Sequence, residues 1–169
     1  MDTGLLIARL ALGLFMAAHG SQKLFGWFGG YGLTAVSGFF ESLGFRPGRF
    51  FAASASLAEI GGGLLVAAGL LGPVGPALMI SMMIVAAVSV HWQHGWFAAT
   101  NGIELPLLYG VFAAALALTG PGRYSLDEFL RTASVWTPAL TWSALALGIF
   151  AGIGNLALRR VPEGAAVAA

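Results

Sequence analysis

The residue best placed for chemistry in this chain is Glu59, a carboxylate near the middle of the apolar run over residues 51–71. That run is long enough to cross a lipid bilayer, where an ionised group is costly and is usually held inside a helical bundle. Carboxylates at such depth commonly mark the path of a substrate, a proton or a cofactor. The sequence therefore predicts that Glu59 belongs to a functional site.

Arg9 is a candidate partner for Glu59, because it also lies inside an apolar run. With a rise of about 1.5 Å per residue, the two residues should lie at levels about 10 Å apart, so their side chains could just meet. An arginine partner would keep the carboxylate ionised, whereas burial without a partner would favour the neutral acid. Two alternatives stay open: Arg9 reaches the lipid headgroups, and Glu59 is a protonated structural acid.

Further polar residues stand at the ends of other apolar runs, and the topology described below brings those ends to one side of the membrane. They are His19, Gln22 and Lys23, then His91, and then Asn101 and Glu104. A polar pocket that enters the bundle from this side, with Glu59 near its floor, would keep all of them away from lipid. We assign proton transfer and catalysis to Glu59, His19 and Glu104. The residues assigned to substrate or cofactor binding are Lys23, Gln22, His91, Asn101 and Arg9.

The histidines do not predict a metal centre. His91 and His94 would share a face only if the helix continued through them, and the chain is expected to leave the helix there. His19 and His91 could ligate a b-type haem from opposing helices, but haem is the less favoured cofactor. Glu59 and Glu104 are not part of the Glu-x-x-His pairs of a di-iron bundle. We therefore predict no metal site.

The composition defines the class of protein: 58% of the 169 residues are hydrophobic and 9% are charged, which is typical of an integral membrane protein. The chain has no cysteine, which excludes a disulfide, an iron–sulfur cluster, thiolate zinc and any dithiol redox step on the chain itself. Redox chemistry would belong to a cofactor or a partner. A net charge of +1 with scattered basic residues gives no reason to expect nucleic acid.

Five apolar runs are candidates for the elements that position these residues. About 20 residues are needed to cross about 30 Å of hydrocarbon. The runs cover residues 3–19, 51–71, 75–90, 104–119 and 137–158. The third and fourth are short and need aromatic anchoring or a locally thinner bilayer. Glycine and proline over residues 71–76 predict a tight turn, so the second and third runs should form an antiparallel hairpin.

Two shorter segments are predicted to lie in the membrane interface. Residues 33–43 carry an apolar stripe at helical spacing, but the segment is too short to span. Ser125-Leu126-Asp127-Glu128 is typical of a capping box, which predicts a second surface helix over residues 126–134. The chain is thus predicted to be all-α: a transmembrane bundle with short interfacial amphipathic helices.

Basic residues predict the orientation of the bundle. The side reached after the first run, called side A below, holds Lys23, Arg46, Arg49, Arg159 and Arg160. The opposite side, side B, holds Arg123 and Arg131. Because Lys and Arg are enriched in cytoplasmic loops, side A is predicted to face the cytoplasm.

Small residues predict where helices approach closely. Gly61, Gly62 and Gly63 follow the acid directly and should pack against another helix beside it. Gly148 and Gly152 lie four residues apart in the last run. They either pack against another helix of the same chain or join two copies, so a homo-oligomer remains possible.

Four blocks of this chain, in their order, resemble the successive signatures of the DoxX family of small bacterial membrane proteins. They are His19-Gly20-Ser21-Gln22-Lys23-Leu24-Phe25-Gly26, Ala58-Glu59-Ile60-Gly61-Gly62, Asn101-Gly102-Ile103-Glu104 and Gly120-Pro121-Gly122-Arg123-Tyr124-Ser125-Leu126-Asp127. The resemblance extends from about Leu5 to Asp127 and implies a four-helix transmembrane core. It divides the chain into a DoxX-like four-helix domain (residues 1–135), an additional transmembrane helix (136–160) and a flexible C-terminal tail (161–169).

The resemblance also implies a function. Members of that family include subunits associated with thiosulfate:quinone oxidoreductase, and DoxX-like proteins of mycobacteria resemble membrane anchors of an oxidoreductase assembly. The implied protein is a multi-pass component of redox or sulfur metabolism in the bacterial plasma membrane, with quinone as the implied cofactor and soluble oxidoreductases as partners. Without cysteine, the chain itself carries no persulfide intermediate. The alternatives are a non-enzymatic scaffold that docks soluble partners, and a small proton-coupled transporter.

Overall fold

The computed structural model describes residues 2–160, and over that range every regular element is helical. This confirms the all-α prediction. The tail predicted over residues 161–169 lies outside the described residues. The helices are α1 (Asp2–Phe25), α2 (Gly32–Ser42), α3 (Gly48–Ala68), α4 (Val74–Ala86), α5 (Glu104–Thr119), α6 (Leu126–Phe129) and α7 (Pro138–Ala157).

In the described part of the chain, four helices are long and apolar enough to cross a membrane. They are α1, α3, α7 and α4 with its continuation to His94, with 24, 21, 20 and 21 residues. The continuation is a π-helical turn over Ala87–His91 and a 3-10 turn over Trp92–His94, so this span is longer than the predicted residues 75–90. Helix α5 has 16 residues, or about 24 Å at the helical rise, and is short, as predicted.

Helices α1 and α3 are held together by glycines that face each other. A Cβ on Gly63 would stand 2.5 Å from the carbonyl oxygen of Gly13, and a Cβ on Gly20 would stand 2.6 Å from that of Ser56. Neither distance is compatible with a side chain, so the two backbones meet directly. Gly62 faces α4 instead, where its Cβ would lie 3.2 Å from the carbonyl oxygen of Gly75.

Helix α4 lies at the centre of the bundle and packs against α3, α5 and α7. Its core residues Met79 and Met83 are buried with Leu116 of α5 and Leu145 of α7. Gly148 of α7 also faces α4, at Ala77, and Gly152 lies against Ser81 and Ile84. The two glycines are therefore occupied by a helix of the same chain, the first of the two alternatives.

On side B, Asp127 ties the end of the bundle together. Its fully buried carboxylate accepts hydrogen bonds from the backbone of Leu71 (3.1 Å) and Gly72 (2.7 Å), and from Thr132 Oγ1 (2.8 Å). The tight turn between α3 and α4 is thereby joined to the segment after α6. The α3–α4 hairpin and its turn are as predicted.

The second predicted surface helix is wrong in length. Ser125 does cap α6, since its hydroxyl accepts the backbone N–H of Glu128 at 3.2 Å. The helix then ends at Phe129 instead of residue 134. Arg131 adopts a φ of 59°, a left-handed conformation that a continuing right-handed helix does not contain.

On side A, α2 and the end of α7 close the bundle. Helix α2 packs on α3 and α1 and buries Val36. Arg159 Nε donates to the carbonyl of Leu43 at 2.9 Å, and the backbone N–H of Arg160 donates to that of Gly44 at 2.8 Å. The end of α7 is thus joined to the link between α2 and α3.

Candidate functional site

Glu59 is buried and paired with Lys23. The Nζ atom of Lys23 lies 2.5 Å from Oε1 of Glu59, and the side chains are 23% and 3% exposed respectively. The other carboxylate oxygen, Oε2 of Glu59, is buried and has no hydrogen-bond partner among residues 2–160. The site therefore holds a buried carboxylate with one oxygen engaged and the other free of hydrogen bonds.

The predicted pair between Arg9 and Glu59 is wrong, and the direction of side chains along a helix explains why. In an α-helix each Cα–Cβ bond tilts towards the N-terminus. Because α1 runs from side B to side A, Lys23 reaches back into the bundle, whereas Arg9 reaches away from Glu59. Helix α3 runs in the opposite direction, so Glu59 tilts towards side A and meets the lysine.

Arg9 does not reach the lipid headgroups either, since only 3% of it is exposed. Its Nη1 donates to the carbonyl of Pro121 and its Nη2 to that of Tyr124, both at 2.5 Å. These two residues lie in the side-B loop between α5 and α6, so the hydrogen bonds of Arg9 hold that loop against α1. It lies outside the site around Glu59.

The ion pair lines a cavity of about 790 Å³ in the side-A half of the bundle. This side-A cavity lies between α1, α2, α3, α4 and α7, and most of its surface is apolar. The polar residues that line it include His19, Gln22, Lys23, Glu59 and His91. The aromatic residues that line it are Tyr31, Phe39, Phe40, Phe45 and Phe51. The cavity thus combines a polar region with an aromatic wall.

The polar side chains around the ion pair are oriented by hydrogen bonds. Nδ1 of His19 donates to Oε1 of Gln22 at 3.2 Å, and Nε2 of Gln22 donates to the carbonyl of Phe28 at 3.1 Å. Nδ1 of His91 donates to the carbonyl of Asn101 at 2.7 Å. In a neutral ring, this leaves Nε2 of His91 as a hydrogen-bond acceptor.

His91 is also the last residue of the π-helical turn that continues α4. Such turns are frequent at functional sites, because the extra residue changes the direction in which side chains point. Ser89 lies in the same turn and lines the cavity too.

The structure brings five of the predicted site residues together and leaves three apart. His19, Gln22, Lys23, Glu59 and His91 line the side-A cavity. Glu104 does not, since its Oε2 accepts the backbone N–H of Ala98 at 2.7 Å and so holds the preceding loop. Asn101 is exposed and acts through its carbonyl, which orients His91. Arg9 lies on the opposite side.

Four polar residues of the cavity wall could not be found from the sequence, because they lie singly in apolar runs. Ser54, Ser81, Ser89 and Asn155 line the cavity, and nothing in their spacing distinguishes them from residues that face a neighbouring helix. Asn155 shows that α7 forms part of the wall. Among residues 2–160, no group of three His, Cys, Asp or Glu side chains could hold a metal ion.

The four membrane-length helices, the short fifth helix and the buried ion pair define a multi-pass helical membrane protein. The chain belongs to the DoxX family, whose model matches residues 4–92. That match covers more than half of the chain and confirms the resemblance over α1 to α4 with Lys23, Glu59 and His91. The blocks around Asn101 and Asp127 lie beyond it. No curated protein and no solved structure matches this chain.

Proposed function

We propose that this membrane protein is a quinone-linked component of redox or sulfur metabolism in the bacterial plasma membrane, and that the side-A cavity receives the quinone headgroup. The observation that carries the proposal is the ion pair between half-buried Lys23 and buried Glu59 in the wall of a large, mostly apolar cavity. Ligand sites commonly have this form, with apolar walls that supply affinity and a few polar groups that fix orientation.

The charge of the cavity favours a neutral ring over a small anion. Lys23 is the one lysine or arginine that lines the cavity among residues 2–160, and its charge is already balanced by Glu59. A dianion such as thiosulfate would therefore find little uncompensated positive charge there. A planar ring can instead pack against Phe39, Phe40 and Phe51. We therefore place oxidation of the sulfur compound on a partner and the quinone in this chain.

The polar groups supply what quinone reduction needs from the protein. Conversion of a quinone to a hydroquinone takes up two electrons and two protons. The electrons come from the reduced sulfur compound through a soluble oxidoreductase partner, which this chain anchors. The protons pass through Glu59 from side A, where His19 and His91 line the route. Lys23 donates a hydrogen bond to a quinone oxygen and balances the charge of Glu59 as it loses and regains its proton.

Quinone titration of the purified protein in nanodiscs tests this proposal. Menaquinone with a short isoprenoid chain is added, and binding is followed by the ultraviolet difference spectrum. Wild-type protein should bind one quinone per chain, and Lys23→Met should weaken binding about tenfold, because a hydrogen bond to a charged donor is lost. Glu104→Gln is the matched control, since Glu104 does not line the cavity, and it should bind as wild type does. Absence of saturable binding by wild-type protein overturns the proposal.

A scaffold that only docks soluble partners is the competing function, and α2 is its best surface. Val36 anchors α2 to the bundle, while Thr34 and Glu41 are exposed on side A. Crosslinking followed by mass spectrometry separates the two functions. If Glu59→Gln leaves the cellular phenotype intact while exchange of the exposed α2 residues abolishes partner recovery, the chain is a scaffold.

A further inference from the structure

Another cation, Arg9, is buried at the opposite end of the bundle. Its guanidinium meets two backbone carbonyls, and no carboxylate oxygen lies within 4 Å of it among residues 2–160. Carbonyls satisfy hydrogen bonds but bring no net negative charge. A buried cation at membrane depth is usually paired, and Arg9 has no such direct partner among residues 2–160.

Among residues 2–160, two hydrogen-bond donors at this end have no acceptor. They are Nε of Arg9 and Nε1 of Trp136, both buried. Both residues line one cavity of about 260 Å³, called the side-B cavity below. Thr141, which is buried at the start of α7, lines it as well and adds a hydroxyl group. A water molecule takes up about 30 Å³ of liquid, so this volume can hold a group several times larger.

The backbone around the cavity is shaped to seat these two side chains. A Cβ on Gly69 would collide with the guanidinium of Arg9, and a Cβ on Gly72 would stand 2.5 Å from the Trp136 ring. The cavity also lies where two helices begin: Pro73 precedes α4 and Pro138 is the first residue of α7, and both line it. The N-terminal ends of helices carry partial positive charge, which favours an anion.

We propose that the side-B cavity binds an oxygen anion of the phosphate class, supplied by an anionic phospholipid headgroup or by free phosphate. Arg9 balances the charge and donates from Nε, and Trp136 donates from Nε1. Both nitrogen atoms are covered in the structure, so binding requires the Trp136 ring to shift. The ring lies on the segment between α6 and α7, where it is only half-buried.

The test measures binding of phosphatidylglycerol to detergent-purified full-length protein by native mass spectrometry, with phosphatidylcholine and inorganic phosphate as comparison ligands. Wild-type protein should retain phosphatidylglycerol in preference to phosphatidylcholine. Trp136→Phe keeps an aromatic ring against Gly72 and removes the N–H, so it should bind about fivefold to tenfold more weakly. Trp92→Phe is the matched control, because Trp92 is exposed and lines neither cavity, and it should bind as wild type does.

Competition identifies the source of the anion. Displacement of the lipid by millimolar inorganic phosphate indicates a free anion as the ligand, and resistance to it indicates the headgroup; both results support the site. Equal retention of the two lipids without any effect of phosphate, or unchanged binding in Trp136→Phe, overturns the proposal. Because Trp136→Phe leaves Arg9 in place, the test does not depend on whether an Arg9 variant folds.

Discussion

At the scale of single residues, the site depends on an ion pair whose members differ in exposure. Glu59 is almost completely buried, whereas Lys23 retains contact with the side-A cavity through a long side chain. Removing two charges from water is costly, and removing one partner is worse because the other charge is left buried and unbalanced. This asymmetry makes the stability of the two single variants and the double variant informative.

Lys23→Met should destabilise the protein by about 3 kcal/mol, because Glu59 would lose its counterion. Lys23→Met combined with Glu59→Gln should recover most of that loss, since no unpaired charge is then left at this site. Unfolding in a detergent titration measures both free energies. Arg49→Met, an exposed side-A change, should stay within about 0.5 kcal/mol of wild type. Equal losses in the single and double variants would show that the ion pair does not govern the burial of Glu59.

Asp127→Asn should destabilise the protein by about 2 kcal/mol, because the fully buried carboxylate accepts from two backbone amides and one hydroxyl. The side-chain amide of Asn keeps one acceptor oxygen. Its NH2 group, which can only donate, would replace the other oxygen and face groups that also donate. Thermal unfolding in detergent measures the loss. The neighbouring exposed acid supplies the control, as Glu128→Gln should leave the melting temperature unchanged within about 1 °C. A melting temperature equal to wild type in Asp127→Asn contradicts the structural role.

The sequence was sufficient to locate Glu59 as the buried acid and to group His19, Lys23 and His91 at its side of the membrane. Depth along each helix follows from counting residues, and that count is reliable in an apolar span. The sequence could not identify the counterion of Glu59, because depth alone places both Arg9 and Lys23 within reach of the carboxylate. The choice depends on the direction in which each side chain leaves its helix.

At the scale of elements, three consecutive glycines of α3 have three different environments. Gly63 meets α1 and Gly62 meets α4. Within the described residues, a Cβ on Gly61 would find no atom within 4 Å apart from the adjoining backbone of α3 itself. This short stretch, which lies within one helical turn of Glu59, therefore sets the distance from α3 to both α1 and α4. The prediction that this stretch packs beside the acid holds for Gly62 and Gly63 and fails for Gly61.

Gly63→Ala should destabilise the protein by about 2 kcal/mol, because the new methyl group forces α1 and α3 apart. Gly61→Ala adds the same methyl group in open space and should be neutral or stabilising by up to about 1 kcal/mol, since alanine is the better helix former. Unfolding free energies in one detergent compare the two. The prediction fails if the two variants lose stability equally.

Two element boundaries could not be read from the sequence for local reasons. The π-helical turn over Ala87–His91 extends α4, and a single widened turn leaves little trace in a hydrophobic pattern. Helix α6 ends early because Arg131 adopts a left-handed conformation, which arginine rarely does and its sequence context does not signal. The capping serine, in contrast, was recognisable, because the spacing of Ser125 and Glu128 is that of a capping box and so predicts the hydrogen bond.

At the scale of the whole molecule, α7 is part of both cavities. Thr141 lines the side-B cavity, Asn155 lines the side-A cavity, and glycines between them lie against α4. We therefore propose that the division between residues 1–135 and 136–160 separates the family core from a helix that completes its binding surfaces. Because the helices cross the membrane in alternating directions, knowing which side of the membrane holds one loop determines the orientation of the whole bundle.

Because the chain has no cysteine, a single introduced cysteine reports the side of the membrane without any background. Ser42 lies exposed at the end of α2 on side A, and Ser134 lies exposed between α6 and α7 on side B. If side A is cytoplasmic, as the distribution of arginine and lysine predicts, a membrane-impermeant maleimide should label Ser134→Cys in intact cells and Ser42→Cys only after lysis. Labelling in lysed cells shows for each variant that the thiol is reactive. The reverse pattern would place side A outside, and the proposed function would then require that protons reach Glu59 from the exterior and that the soluble partner dock there.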